Sequence, residues 1–139
     1  MTGVLLDTNI VLDFLQARPP YVQEATIIWH AAQRGEFSGF VSAITPTTVF
    51  YIVRRERGGP AARLAVQRIL TAVQVCPVDR VALRDALSLS FTDFEDAVQC
   101  ASAEAAGLDL IVTRDVRDFR GAALPVLSPA EFIAQHLTA

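Results

Sequence analysis

Short apolar runs alternate with segments of helical periodicity along this 139-residue chain. Val4 to Leu6 is a brief run of branched residues, as expected of a strand buried on both faces. Ile10, Val11, Phe14 and Leu15 then recur at helical spacing until Pro19-Pro20 ends the helix. Tyr21 to Arg34 predicts a second helix closed by Gly35, and Phe37 to Val41 a second strand. Thr45-Pro46 reads as a hydroxyl N-cap followed by a helix-opening proline, with that helix ending near Gly58-Gly59. Ala61 to Val73 predicts a helix with Leu64, Ile69 and Leu70 inward, and Val75 to Val78 a strand. Asp79 and Asp93 each cap a further helix, the second reaching Ala106 and stopping at Gly107. Leu110 to Thr113 is a strand, and Leu124 to Leu127 an edge strand that tolerates Pro125. Ser128-Pro129 opens a last helix carrying Phe132, Ile133 and Leu137. Short strands alternating with helices predict parallel βαβ units in a three-layer α/β/α domain spanning residues 1–139.

Composition narrows the possibilities. Hydrophobic residues make up 52% of the chain, ample for a core, and the charged share of 19% is below the usual roughly 25%. The net charge of −3 argues against a protein that coats nucleic acid, although a bound cation could supply positive charge locally. All 12 basic residues are arginine. Coding bias explains that adequately; phosphate recognition by the planar guanidinium is the alternative. Cys76 and Cys100 form no CxxC or zinc spacing and read as buried thiols. No signal-peptide pattern or long apolar stretch is evident, so a cytoplasmic protein is expected.

The candidate chemistry is acidic. Asp7 follows the first strand directly and precedes Thr8-Asn9; Asp93-Phe94-Glu95-Asp96 opens a helix; Asp115 follows Thr113-Arg114 at another strand end. In an open α/β sheet, strand ends and helix starts gather at one edge, where ligands bind. Carboxylates collected there repel unless a cation neutralises them, and hard oxygen ligands suit Mg²⁺ or Mn²⁺. Each acid also has a plainer reading. Asp7 and Asp93 are good caps, and acids in a first helical turn complement the helix dipole. Glu95 reads as a solvated charge. Asp118 could fix the turn after Asp115, or orient Arg114 or Arg117. Arg54, Arg55 and Arg57 complement a helix C-terminus or contact phosphates. An Asp-x-Asp phosphatase motif would need an acid where Asn9 stands. His30 and His136 have no partners in sequence that suggest a catalytic base, and no Walker or dinucleotide glycine pattern occurs.

The acid segments, in this order, resemble the PIN-domain nucleases. The markers are Leu5-Leu6-Asp7-Thr8-Asn9, Val41-Ser42-Ala43-Ile44-Thr45, Asp93 to Gln99, Ile111 to Asp115 with Asp118-Phe119, and the closing Leu124 to Phe132. The resemblance implies a parallel sheet of about five strands and Mg²⁺- or Mn²⁺-dependent cleavage of RNA. Asp7, Asp96, Asp115 and Asp93 would hold metal, with Thr8, Asn9, Thr48, Thr113 and Asp118 supporting them. Many small relatives are VapC-type toxins that dimerise and are held by an antitoxin protein. One position departs: matching through Thr45 puts Thr48 where the family usually has a Glu. Glu56 lies about two turns further on. A subset of PIN-like proteins carries this Thr-rich helix with Asp-Phe-Glu-Asp-Ala, and the chain looks closer to that subset. Two alternatives therefore stand beside a ribonuclease: a non-catalytic PIN-like binding module and a metal-dependent phosphatase.

Overall fold

The computed structural model describes residues 1–137; the expected domain runs two residues further, outside the described residues. Five parallel strands lie in the order β3-β2-β1-β4-β5. They are β1 Gly3–Leu6, β2 Ser38–Ser42, β3 Gln74–Cys76, β4 Leu110–Val112 and β5 Val126–Leu127. Seven helices connect and flank them: α1 Thr8–Leu15, α2 Val22–Gln33, α3 Ile44–Arg57, α4 Gly59–Ala72, α5 Arg80–Leu87, α6 Phe94–Ala105 and α7 Pro129–His136. A short 3-10 turn, Val116–Phe119, follows β4.

β1 lies at the centre because both its faces are apolar. Val4 and Leu6 point into one core with Val41, Leu110 and Val112, packed against α1, α2, α3, α4 and α7. Leu5 and Ile111 point into the other with Cys76, Cys100 and Phe119. Strand side chains alternate by face, so a one-residue slip of β1 would exchange the two sets. The register is Leu5 opposite Phe40 and Ile111, with Leu6 opposite Val112. The expected three-layer α/β/α architecture is what forms. Both cysteines are buried and free.

Local readings fared unevenly. Asp79 and Asp93 accept hydrogen bonds from the Ala82 and Asp96 backbone N–H groups, and Ser128 with Glu131 forms a reciprocal capping box. Thr45 does not cap: α3 begins at Ile44, and Thr45 is buried with its hydroxyl turned to Thr8. Leu64 and Leu70 are exposed, whereas Ala62, Ala65 and Ile69 form the inward stripe of α4. β3 is shorter than expected and stops at Cys76. A single residue, Gly58 at φ +91°, ends α3 and starts α4, a backbone state that favours glycine.

Candidate active site at the C-terminal edge of the sheet

β1 is flanked by β2 and β4, so the chain reverses its direction of strand addition at this point, and Asp7 emerges from it. Open α/β sheets place ligands at such a switch. The Asp7 N–H donates to the Val112 carbonyl at 3.0 Å, which seats its side chain beside the end of β4. Asp7 is 2% exposed. Thr113 Oγ1 donates to its Oδ2 at 2.8 Å, and Gln99 Nε2 donates to its Oδ1 at 3.0 Å. Burial raises the Asp7 pKa; those two hydrogen bonds pull the other way, and the charge of Asp115 adds to the rise.

A polar lattice ties α1, α3, α6 and β4 to this carboxylate. Gln99 Oε1 accepts from the Thr8 N–H at 3.1 Å, and the Thr8 and Thr45 hydroxyls are 2.8 Å apart. Thr113 Oγ1 also accepts from the Asp115 N–H at 2.9 Å, so one hydroxyl links Asp7 to Asp115. Asn9 Nδ2 donates to Asp115 Oδ2 at 3.3 Å. Gln99 and Thr45 bear on the site although sequence reasoning gave neither a role there. For Gln99 the signal existed, because it lies three residues after Asp96 on the same helical face.

The α6 N-terminus brings three further acids. Asp93 is spent on the cap, its Oδ1 accepting from the Asp96 N–H at 3.1 Å. The Asp96 carboxyl is pushed up to about 7, first by burial, then by the charges of Asp7, Asp93, Asp118 and Glu95. Glu95 is not the solvated charge expected of it. It is half-buried, and its Oε2 accepts from Thr48 Oγ1 at 3.0 Å, across to α3. Burial raises its pKa too, with smaller contributions from Asp93 and Asp7. Asp118 is exposed in the 3-10 turn, held by its N–H to the Asp115 carbonyl at 2.9 Å. It does not orient Arg114, which pairs with Asp13 at 2.7 Å instead. Glu56 is exposed and accepts from Gln16, in contact with none of these acids. Arg54, Arg55 and Arg57 occupy the last turn of α3, as their dipole reading requires.

The fit to a divalent cation can be judged from charge balance. Asp13 and Asp7 are both buried. Asp13 meets the Arg114 guanidinium at two atoms, whereas Asp7 meets only neutral donors among the described residues. Buried charges are normally paired or coordinate metal. The acids near Asp7 offer a cation carboxylate oxygens, the ligand type preferred by Mg²⁺ and Mn²⁺. The chemistry fits, but the geometry is not closed: among the described residues no three ligating side chains converge as a finished metal cluster. Side-chain rotation would have to complete one. Beside the acids lies a cavity of about 540 Å³ lined by Thr92, Asp93, Arg117, Asp118 and Arg120.

Comparison with known proteins follows the same lines. The structure of VapBC2 from Rickettsia felis bound to a promoter DNA fragment superimposes with TM-score 0.73 at 13% identity, covering 91% of this chain and 98% of that one. DNA-bound VapBC from Salmonella typhimurium gives 0.73 at 17%, over 93% and 99%. VapC20 of Mycobacterium tuberculosis, a sarcin–ricin loop cleaving toxin, gives 0.65 at 19%, over 78% and 86%. At such identities the likeness is one of fold. No curated protein matches the chain in sequence. The PIN-domain family model matches residues 3–117, most of the chain, including Asp7, Asp93, Glu95, Asp96 and Asp115. A sheet ordered 3-2-1-4-5, acids gathered where it reverses, and that match together place this protein in the PIN-domain family.

Proposed function

We propose that this protein is a divalent-metal-dependent endoribonuclease of the VapC toxin type. The observation that carries the reading is Asp7: a buried carboxylate held by Gln99 and Thr113, without a cationic partner among the described residues, in the electrostatic reach of Asp96 and Asp115. In a PIN domain that arrangement is suited to Mg²⁺ or Mn²⁺. Asp7, Asp96 and Asp115 would hold the cation, with Asp93 acting chiefly through the α6 cap. A cation bound there makes water a better nucleophile near neutral pH and offsets negative charge on the scissile phosphate.

The chain's own residues do the positioning. Gln99 and Thr113 fix both oxygens of Asp7, and Asn9 with Thr113 orients Asp115. Such supporting contacts typically matter about 10–100-fold in affinity or activity at metal sites. Arg117 and Arg120, lining the neighbouring cavity, offer forked donors for an RNA phosphate beside the acids. The likeness to toxin–antitoxin complexes supports a toxin held by an antitoxin protein; a homodimer in the cytoplasm is part of the proposal. Among the described residues, no helix is long and apolar enough to cross a membrane.

Replacement of Asp7 or Asp96 by Asn is expected to abolish Mn²⁺-dependent cleavage of RNA while circular dichroism shows an unchanged fold. Cleavage at the wild-type rate by both purified variants would refute the assignment. Thr48, a neutral side chain on α3 where an acid is expected, favours one rival, a PIN domain that binds without cutting. RNA binding with no cleavage at millimolar Mn²⁺ would select that rival.

A further inference from the structure

We infer that Glu95, positioned by Thr48, is a cation-holding carboxylate of this site and takes the place expected for Asp93. The inference rests on the metal-dependent reading above. Glu95 is the second residue of α6, a position that ordinarily faces water in a first helical turn. Here its neighbours Asp93 and Phe94 are exposed, but Glu95 folds inward and spans from α6 to α3. Thr48 meets it there, its hydroxyl 3.0 Å from Glu95 Oε2 and 3.1 Å from the Ile44 carbonyl. A Thr hydroxyl bonded back to its own helix has its rotamer restrained, so it presents a fixed surface to the carboxylate. Glu95 Oε1 accepts no hydrogen bond from any described residue.

Asp93 is differently placed. One of its oxygens is committed to the Asp96 N–H, and the carboxylate is exposed. Moving Asp93 onto a cation would uncap α6. Glu95 can keep Oε2 on the Thr48 hydroxyl while Oε1 turns to a cation, with no helix cap lost. A half-buried carboxylate with no cation beside it is poorly accommodated unless something positive arrives. The charge of Asp7 is felt at Glu95, so one ion held between them would relieve both.

The test is calorimetric titration of the metal-free protein with Mn²⁺ alone, with thermal unfolding as the control on folding. Glu95→Gln is expected to weaken Mn²⁺ binding at least tenfold while the metal-free protein unfolds at or above the wild-type temperature. Asp93→Asn keeps a capping oxygen and is expected to change affinity less than threefold. Thr48→Val is expected to weaken it two- to tenfold. The exchanged pair Thr48→Glu with Glu95→Thr, which delivers the acid from α3 instead, is expected to recover most of the loss. Wild-type affinity in Glu95→Gln, with binding lost in Asp7→Asn, would overturn the role of Glu95 and leave the metal reading intact. No Mn²⁺ binding by the wild-type protein would overturn both.

Discussion

Asp96 sits where folding and ionisation conflict. Its carboxyl is raised to about 7 in the folded protein, against about 3.9 in an unfolded chain. Between those values the folded state binds more protons than the unfolded one, so stability falls as pH rises. The benefit of the folded, protonated form is complete below about pH 4 and gone above about pH 7. Asp7 and Glu95 are shifted in the same direction, chiefly by burial, and steepen the trend. Metal-free wild type is therefore expected to melt at a higher temperature at pH 5.5 than at pH 8. Asp96→Asn should shrink that difference, as thermal unfolding at the two pH values would show. An equal difference in both proteins would mean that Asp96 is not the group responsible.

At the scale of elements, Arg114 ties the β4 exit loop to α1. Arg114 donates from Nε and Nη2 to the two oxygens of Asp13, and its guanidinium lies 3.9 Å from the centre of the Tyr21 ring. Thr113 and Asp115, on either side of it, both contact the site. Arg114→Ala strands Asp13 at 0% exposure. Breaking a buried pair in this way costs about 3–5 kcal/mol. The lower end, about 3 kcal/mol, is expected because the Arg114 side chain is 23% exposed, and chemical denaturation would measure it. The sequence could not announce this pair, since 101 residues separate its members. What it did announce was local. The caps at Asp79, Asp93 and Ser128 depend only on backbone groups within a turn, and all three formed. The acids at strand ends were likewise readable, because sheet topology gathers such ends whatever the connecting segments contain. Thr45 failed as a cap because a distant hydroxyl, that of Thr8, claimed it. Glu95 was misread for the same reason: helix position said solvent, and Thr48 on another helix drew it in. Leu64 and Leu70 fit a helical stripe, yet the core beneath α4 accepted Ala62 and Ala65 in their place.

Over the whole molecule, the proposed cation site would couple folding to cation supply. A ligand that binds only the folded state stabilises it by about 2.7 kcal/mol at a hundred times its dissociation constant. For a chain of 139 residues that amounts to a rise in Tm of about 8 °C. Mn²⁺ at that excess is expected to produce such a rise in wild type and none in Asp7→Asn, measured by differential scanning fluorimetry at pH 7.5. Equal shifts in the two proteins would locate the ion elsewhere. The net charge of −3 works in the same sense, since a cation is attracted to the fold before it reaches the acids.

The reversal of strand order at β1 has a consequence for how the molecule could be divided. Strands β1, β2 and β3 all precede α5 in the chain, and β4 and β5 follow α6. Asp7 belongs to the first portion; Glu95, Asp96 and Asp115 belong to the second. A backbone nick in the connector between α5 and α6 would leave neither fragment with a full complement of carboxylates. With Mn²⁺ held as proposed, its affinity would report the rejoining of two polypeptides, and the protein would serve as a split sensor whose signal is the ion itself.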